Sequence, residues 1–364
     1  METFQHPSRV YVDILLSLGL PNAITNVETQ IDTLTVEGQP IPMTLNDEEY
    51  SNSYVCSPYT AYISYAEDEL QLIQSKGQRR LFLGAIRFAD ILLKWAKINQ
   101  TLSLNNWLVS TNLPPKWSTE TIPELTKNLI ERYPLHSFNI RSLNWHTNKD
   151  LMNSLKNHGW LLIPARQVYL FDNIDRQWWK RSHTKRDQKL LQKASLQTVT
   201  PEEHQKEDFV EILHCFNKLF IEKHSHFNPQ FTAAYLYQTH VKGLIKFHSF
   251  RDPENHRIVA SIGLFTQQEI ITTPMVGYDT QLPKELGLYR LLMAVLLKET
   301  YESGQMMNLS SGAGGFKRAR GGVPTIEYTA FYIDHLSCKR KWLMHIFSKL
   351  LNKFGPKVLQ DNGI

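Results

Sequence analysis

The sequence has few cysteines and no long apolar run. Only three of its 364 residues are cysteine, namely Cys56, Cys215 and Cys338, and they lie far apart. This spacing indicates neither a disulfide framework nor a CxxC metal site, and it favours a reducing cytoplasm. No uninterrupted apolar run is long enough to span a bilayer, and the first residues lack the pattern of a signal peptide. We therefore expect a cytoplasmic protein with no membrane span.

Several catalytic signatures are also missing. The sequence contains no GxSxG, no GxxxxGK[ST], no HExxH and no complete GxGxxG after a strand. These absences exclude the common signatures of α/β-hydrolases, P-loop NTPases, zinc peptidases and dinucleotide-binding domains. His224 and His226 flank Ser225 in a polar turn, where histidines are more often solvent-exposed than metal ligands. We expect no metal.

Basic residues are missing from the front of the chain. Residues 10–75 contain no Lys or Arg but ten Asp and Glu, whereas residues 176–193 contain seven basic residues and one acidic residue. Residues 339–357 contain six basic residues and no acidic one. A polyanionic ligand would therefore meet the back half of the chain. Trp178 and Trp179 lie within the first basic segment, which fits either nucleic-acid contact or packing of the tryptophans on an adjoining domain.

The first half of the chain reads as an α/β unit. Residues 33–38 (TLTVEG) indicate a strand before a tight turn, and residues 54–65 a strand or extended loop. Residues 78–99 have the apolar spacing of a helix. Strand, helix, strand, helix and strand then follow over residues 103–171. We predict a first domain at residues 1–174.

The second half repeats this order of elements. Residues 258–265 and 269–278 indicate a hairpin, residues 285–302 an almost wholly apolar helix, and residues 306–309 a short strand. A strand at residues 325–333 and a helix at residues 339–354 follow a glycine-rich loop. The predicted fold class is α/β (α+β, with a mixed sheet), with a second domain at residues 175–364.

The glycine-rich loop at residues 310–322 (SSGAGGFKRARGG) is the most informative segment. Successive glycines let backbone N–H groups converge on an anion, and flanking basic side chains strengthen that field. We expect Ser310, Ser311, Lys317 and Arg320 to bind a donor phosphate or an acceptor carboxylate. The alternative is a flexible surface turn with solvated charges.

Other candidates are polar groups near strand ends. Tyr278 and Asp279 end the hairpin and could act as acid, base or acceptor-binding groups, although Asp279 could equally cap a turn. The start of the apolar helix has one glycine and could take a pyrophosphate. In the first half, polar side chains on apolar strands could either face a substrate cleft or cap strand ends; they are Asn105, Trp107, Arg141 and Asn144.

Residues 171–317 resemble the GNAT superfamily of acyltransferases, in the branch with two tandem GNAT-like domains. That branch includes the FemA/FemB-like aminoacyltransferases and the BioF2-like acetyltransferase domain. The hairpin VASIGLFTQQEIITTPMVGYD resembles the central GNAT strands, and LGLYRLLMAVLLKETYESG resembles the helix after the cofactor-binding loop. MNLSSGAGGFKRARGG resembles the next strand and its Gly-Lys turn. Residues 136–144 and 160–171, with the helix between them, look like the end of another GNAT-like domain.

The resemblance implies N-acyl transfer from acyl-CoA or a related thioester to a small-molecule or peptide amine. In the family, the acyl-pantetheine arm lies where the first central strand splays from its neighbour, and a backbone N–H polarises the thioester carbonyl. Tyr278, Asp279 and Lys317 are the candidate catalytic residues. The residues that would contact the cofactor by this resemblance are Met275, Val276, Gly277, Gly287, Leu288, Tyr289 and Arg290.

The helix start departs from the family's coenzyme A pattern. That pattern is a [QR]xxGx[GA] loop, whereas here Gly287 is the only glycine and no Gln or Arg lies three residues before it. FemA/FemB-like members share this loss and take aminoacyl-tRNA, so tRNA is the alternative donor and partner. A non-catalytic GNAT-fold binding module is the third reading. The sequence leaves open the acceptor, the acyl donor, the catalytic base, the oligomeric state and the role of residues 10–75.

Overall fold

The protein packs as two compact units in a computed structural model that describes residues 6–72 and 75–362. Unit 1 comprises the described residues up to Asp13, Asn26–Gln167 and the residues from Thr325 onward, and unit 2 comprises Ile14–Thr25 and Val168–Pro324. The last strand and helix thus group with unit 1, although the sequence analysis counted them with the second half. The predicted boundary after residue 174 stays a prediction.

Helices and strands alternate along most of the chain. The α-helices are α1 Pro7–Leu18, α2 Leu20–Ala23, α3 Tyr65–Glu69, α4 Lys76–Trp95, α5 Thr121–Arg132, α6 Lys149–Asn157, α7 Ser182–Gln192, α8 Asp208–Phe216, α9 Ala233–Val241, α10 Leu288–Ser303, α11 Gly314–Ala319 and α12 Cys338–Asn362. The strands are β1 Gln30–Val36, β2 Gln39–Asn46, β3 Thr101–Leu104, β4 Ser137–Asn144, β5 Leu161–Phe171, β6 Gln197–Val199, β7 Lys246–Arg251, β8 Ile258–Gln267, β9 Ile270–Tyr278, β10 Met306–Asn308 and β11 Val323–Tyr332.

Unit 1 contains a mixed sheet. The hairpin of β1 and β2 is antiparallel, β2 pairs antiparallel with β3, β3 parallel with β4, and β4 antiparallel with β11. Helices α5 and α6 cover the sheet with Ile122, Leu129, Met152 and Leu155, which are buried in one core cluster with Phe138 of β4. The predicted order of strands and helices over residues 103–171 is confirmed, but the first strand, predicted to run from residue 103 to residue 110, ends at Leu104.

Residues 54–57 form a turn and residues 58–65 are helical, so the predicted strand or extended loop there is wrong. The chain turns and then forms a π-helix, Thr60–Ser64, which continues into α3. Side chains stabilise this turn, because Ser57 Oγ accepts from the Thr60 amide at 3.0 Å and Asn99 Oδ1 accepts from the Tyr59 amide at 2.9 Å. Aromatic and β-branched composition favours a strand, but these caps satisfy the backbone in a helical conformation instead.

Unit 2 also contains a mixed sheet. The predicted hairpin forms from β8 and β9, and β7 and β6 extend it antiparallel beyond β8. On the other side, β10 lies parallel to β9 and antiparallel to the end of β5. Helix α10 buries its run from Leu291 to Leu297 in the core of the unit. The predicted glycine loop is partly wrong, because α11 forms within it and carries Lys317.

Candidate anion-binding site of unit 2

A buried carboxylate lies at the centre of the site. Asp187 on α7 is fully buried and accepts from Arg290 Nε at 2.7 Å and from Arg320 Nε at 2.5 Å. Arg290 belongs to the first turn of α10, and Arg320 directly follows α11. Because a buried charge needs partners, Asp187 fixes α7 against the start of α10 and the end of α11.

Gly287 allows α7 to pack close to the start of α10. Its φ of 64° lies in the left-handed region, and a Cβ there would lie 3.0 Å from Leu190 Cδ2 of α7. A glycine satisfies both requirements without strain. Gly287 therefore has a packing reason in this fold, beside the cofactor contact that the resemblance implied.

A cationic cavity of about 540 Å³ opens beside this carboxylate. Three arginines face it, and among the described residues Asp187 is the one carboxylate paired with them. Arg186 is exposed and makes no hydrogen bond or ion pair within residues 6–72 and 75–362. Its charge is therefore available to a ligand. The lining residues are His183, Arg186, Arg290, Gly315, Phe316, Ala319 and Arg320.

Aromatic rings lead from the cavity toward the end of β9. The Arg320 guanidinium lies 3.2 Å from the centre of the Phe316 ring. The Phe316 ring is 4.8 Å from that of Tyr289, which is 6.3 Å from that of Tyr278. Burial raises the pKa of Tyr289 to about 12, so its hydroxyl is neutral at physiological pH. The predicted residues Tyr278, Tyr289, Arg290 and Arg320 are thus brought together.

The sheet opens between β9 and β10. Their parallel pairing covers only Met306–Asn308 against residues 270–272, while β9 continues to Tyr278. The two strands of the hairpin stay paired up to Ala260 opposite Tyr278, with one register shift after Gly263. By resemblance to the GNAT family, we expected a gap between the first strand of this hairpin and its neighbour. The gap lies beside the second strand, β9, instead, because β10 is only three residues long.

The glycine-rich segment surrounds its own lysine. Lys317 is buried, and its Nζ donates to the carbonyl oxygens of Leu309 at 2.7 Å, Ser310 at 3.3 Å and Ser311 at 2.7 Å. An ammonium group has three hydrogens, so these carbonyls engage all of them. The segment therefore presents carbonyls to a cation inside the protein, which differs from the predicted nest of N–H groups around an anion.

Close packing at Tyr169 fixes the same segment. The Lys317 Nζ lies 5.5 Å from the centre of the Tyr169 ring, and Arg318 donates to the Tyr169 hydroxyl at 2.9 Å. A Cβ at Gly314 would lie 2.1 Å from that hydroxyl. The glycine at position 314 is thus required by the approach of Tyr169.

The predicted donor-lining residues of β9 are mostly core. Met275 and Val276 are buried. A Cβ at Gly277 would lie 2.3 Å from the Phe216 amide nitrogen, so this glycine lets β9 and α8 touch through their backbones. Asp279 Oδ1 accepts from the Gln281 amide at 2.9 Å, as expected of a turn cap. Leu288, in the first turn of α10, is buried.

The four polar candidates of the first half belong to unit 1. Asn105 accepts from Trp107 Nε1 at 2.8 Å, and its Nδ2 donates to the Leu113 carbonyl at 3.0 Å. Arg141 donates to the Val55 carbonyl at 2.6 Å. Asn144 Oδ1 accepts from the amides after it and caps the turn before α6. These contacts satisfy backbone groups inside unit 1, and the role of the four residues in substrate binding stays a prediction.

Asp187 and Phe316 were not among the predicted contributors to the site, and Arg186 was predicted only as part of the basic segment at residues 176–193. One signal was present: Asp187 is the single acidic residue among the seven basic residues of 176–193. A lone carboxylate in a basic helix is a candidate for pairing with arginines from elsewhere. Phe316 carried no comparable signal. Among the described residues, no group of three His, Cys, Asp or Glu side chains is placed to hold a metal ion, and no helix could cross a membrane.

Proteins similar to this chain are found by comparison of structures and not by comparison of sequences. No protein-family model and no curated protein matches it. The solved structure of FemX superposes over 96% of this chain and 100% of its own, with a TM-score of 0.54 at 8% identity. L-PGS from Bacillus licheniformis covers 73% of this chain and 96% of its own, with a TM-score of 0.48 at 13% identity.

A tandem GNAT protein from the clavulanic acid biosynthesis pathway also matches, over 64% of this chain and 75% of its own. Its TM-score is 0.39 at 11% identity. The likeness to FemX concerns the fold, and it confirms the predicted mixed α/β fold, which is similar to that of FemX.

Proposed function

We propose that the chain is an acyltransferase that moves an acyl group from a phosphate-bearing donor to an amine acceptor. The observation that carries the proposal is the cavity lined by Arg186, Arg290 and Arg320 in a FemX-like fold. Asp187 offsets one of these charges, so the cavity keeps a positive excess. Arginine binds phosphate oxygens through paired N–H donors, which suits a phosphorylated donor.

The opening between β9 and β10 suits the reacting end of such a donor. There a backbone N–H of residues 273–278 would polarise the carbonyl of a thioester or ester. The acceptor nitrogen would attack this carbonyl carbon, forming the amide while the thiolate or alkoxide leaves. Tyr278 and Asp279, at the end of β9, are our candidates for taking the amine proton. Lys317 is left out of this role because three carbonyls engage its ammonium group.

The first donor to test is acyl-CoA. Aminoacyl-tRNA is the second candidate, favoured by the exposed face of α7. Lys185, Arg186 and Lys189 are exposed on this helix, and Lys180 and Arg181 are exposed just before it. A polynucleotide could contact more of these side chains than coenzyme A could, and its binding would fall steeply with salt.

The test compares Arg186→Ala with Lys298→Ala. Both remove an exposed cation of unit 2, but Lys298 lies outside the cavity lining. We expect Arg186→Ala to weaken donor binding by about 10-fold or more, since a hydrogen bond to a charged group contributes roughly 1.5–3 kcal/mol. Lys298→Ala should bind as the parent protein does.

Calorimetric titration with acetyl-CoA and filter binding with aminoacyl-tRNA separate the two donors. Mass spectrometry of an amine panel then detects transfer. A parent protein that binds neither donor at low salt, or a folded Arg186→Ala variant with unchanged affinity, contradicts the proposed site.

A further inference from the structure

Helix α4 exposes a continuous apolar stripe to solvent. Leu81, Phe88 and Trp95 repeat every seven residues and Ile91 lies between the last two, with exposures of 71%, 53%, 60% and 51%. At about 100° per residue, these four side chains fall within a stripe roughly 80° wide. The opposite face of the helix packs into unit 1 through Ile86 and Leu93, and the buried Leu92 marks the edge between the two faces. The outer stripe is thus separate from the face that holds the helix in the fold.

Basic residues border the stripe along one side. Lys76, Arg80, Arg87 and Lys94 recur at spacings of four and seven residues, and all four are exposed. Helix α4 carries five basic residues and one acidic residue, Asp90, whose carboxylate pairs with Lys94 at 2.8 Å. An apolar stripe with a basic border is the pattern of a helix that lies in a membrane interface.

Helix α12 extends the same surface. Arg340 donates to the Ala96 and Lys97 carbonyls, which joins the start of α12 to the end of α4. The Lys339 Nζ lies 5.1 Å from the centre of the Trp95 ring. Helix α12 carries six basic residues and one acidic residue, and it exposes Trp342 and Phe354. The exposed residues of α4 and α12 are called the basic–apolar face below.

We propose that the basic–apolar face docks unit 1 on the surface of a membrane that contains anionic lipids. Tryptophan and phenylalanine suit the level of the lipid headgroups, and lysine and arginine are attracted by anionic headgroups. A second copy of the chain is disfavoured as occupant, since pairing two such faces would bring like charges together. An RNA would neutralise the cations but would leave the Leu81 and Ile91 side chains without an apolar partner.

The experiment is co-sedimentation of the full chain with two kinds of vesicle. One consists of phosphatidylcholine and the other of an equal mixture of phosphatidylcholine and phosphatidylglycerol. We expect binding at least 10-fold stronger to the anionic vesicles. Brominated lipids should quench tryptophan fluorescence less in Trp95→Phe than in the parent protein. Equal binding to both vesicles, or none, overturns the proposal.

Two sets of variants separate the apolar stripe from the charges. The triple variant Leu81→Ser, Phe88→Ser, Trp95→Ser should lower anionic-vesicle binding at least 10-fold at raised salt, where screening weakens the ionic attraction. The matched control Val210→Ser, Val241→Ser removes two exposed apolar side chains of α8 and α9 and should bind normally.

Circular dichroism confirms folding of each variant. A triple variant that binds vesicles as well as the parent overturns docking through the stripe. A parent protein that prefers a mixed-sequence RNA to the vesicles also overturns the proposal, because this result indicates an RNA site. A molecular mass, measured by light scattering, that is half as large in the triple variant as in the parent overturns it too, because this result indicates a dimer interface.

Discussion

The sequence around Lys317 predicts one role for its side chain, and the structure shows another. Its neighbours, two serines, several glycines and two arginines, are typical of an anion-binding loop. In the structure its ammonium group is enclosed by the carbonyls of Leu309, Ser310 and Ser311. The charge therefore holds the end of β10 to α11. The arginines around the neighbouring cavity are the cations that line a space open to a ligand.

Replacement of Lys317 by Met tests this role. The variant leaves three carbonyls without their donor, so we expect the free energy of unfolding to fall by about 3 kcal/mol. Urea denaturation followed by circular dichroism measures the loss. Lys298→Met, which removes an exposed lysine of the same unit, should stay within about 0.5 kcal/mol of the parent. A Lys317→Met protein of parental stability that has lost donor binding would restore the original prediction of a ligand-binding lysine.

Strand β7 contains a buried histidine, His248, next to a buried serine, Ser249. The Oγ atom of Ser249 is hydrogen-bonded to His204 Nε2 at 2.8 Å. Burial lowers the pKa of His248 from 6.5 to about 4, and it also lowers the pKa of His204. Both imidazoles are therefore neutral in the folded protein at physiological pH.

This burial predicts a loss of stability in mild acid. The unfolded chain takes up a proton at His248 as the pH falls through 6.5, whereas the folded chain does so only near 4. Stability is therefore fully present above pH 6.5 and is lost between these values, by about 3 kcal/mol for His248. In urea denaturation, the free energy of unfolding should differ less between pH 7 and pH 4.5 for His248→Gln than for the parent. The exposed His345→Gln should keep the parental difference, and equal pH slopes for all three proteins would contradict the assignment.

At the scale of the whole chain, the elements with strong periodic patterns were predictable. The hairpin of β8 and β9 and the apolar helix α10 agree with the sequence to within a few residues, because alternation and apolar spacing determine which faces are buried. The helical turn at Tyr59 and Thr60 was not predictable, since it depends on caps from Ser57 and the distant Asn99. The pairing of Asp187 with Arg290 and Arg320 likewise joins residues more than a hundred positions apart.

The grouping of the last strand and helix with unit 1 predicts how fragments behave. Leu343, Met344 and Phe347 of α12 pack in one core cluster with Leu93 and Ile163. A fragment of residues 1–174 lacks these partners and β11, so we expect no cooperative unfolding transition. Residues 26–167 joined to residues 325–362 by a short Gly-Ser linker should unfold cooperatively. A short linker suffices, because the ends to be joined lie close together. Arg166 Nε and Glu327 Oε1, near these ends, are 2.8 Å apart.

Circular dichroism during urea titration distinguishes the two fragments. A cooperative transition in residues 1–174, with none in the joined fragment, would support the division after residue 174. The opposite outcome would support the grouping of Thr325–Ile364 with the first part of the chain.

The distribution of the three cysteines makes the chain ready for site-specific labelling. Cys56 and Cys215 are buried, and burial raises the pKa of the Cys215 thiol to about 12. Cys338 is exposed as the first residue of α12, next to Lys339. A maleimide dye added to the native protein should therefore attach at one position, at the margin of the basic–apolar face. A polarity-sensitive fluorophore there would report contact of that face with its partner without any engineered cysteine.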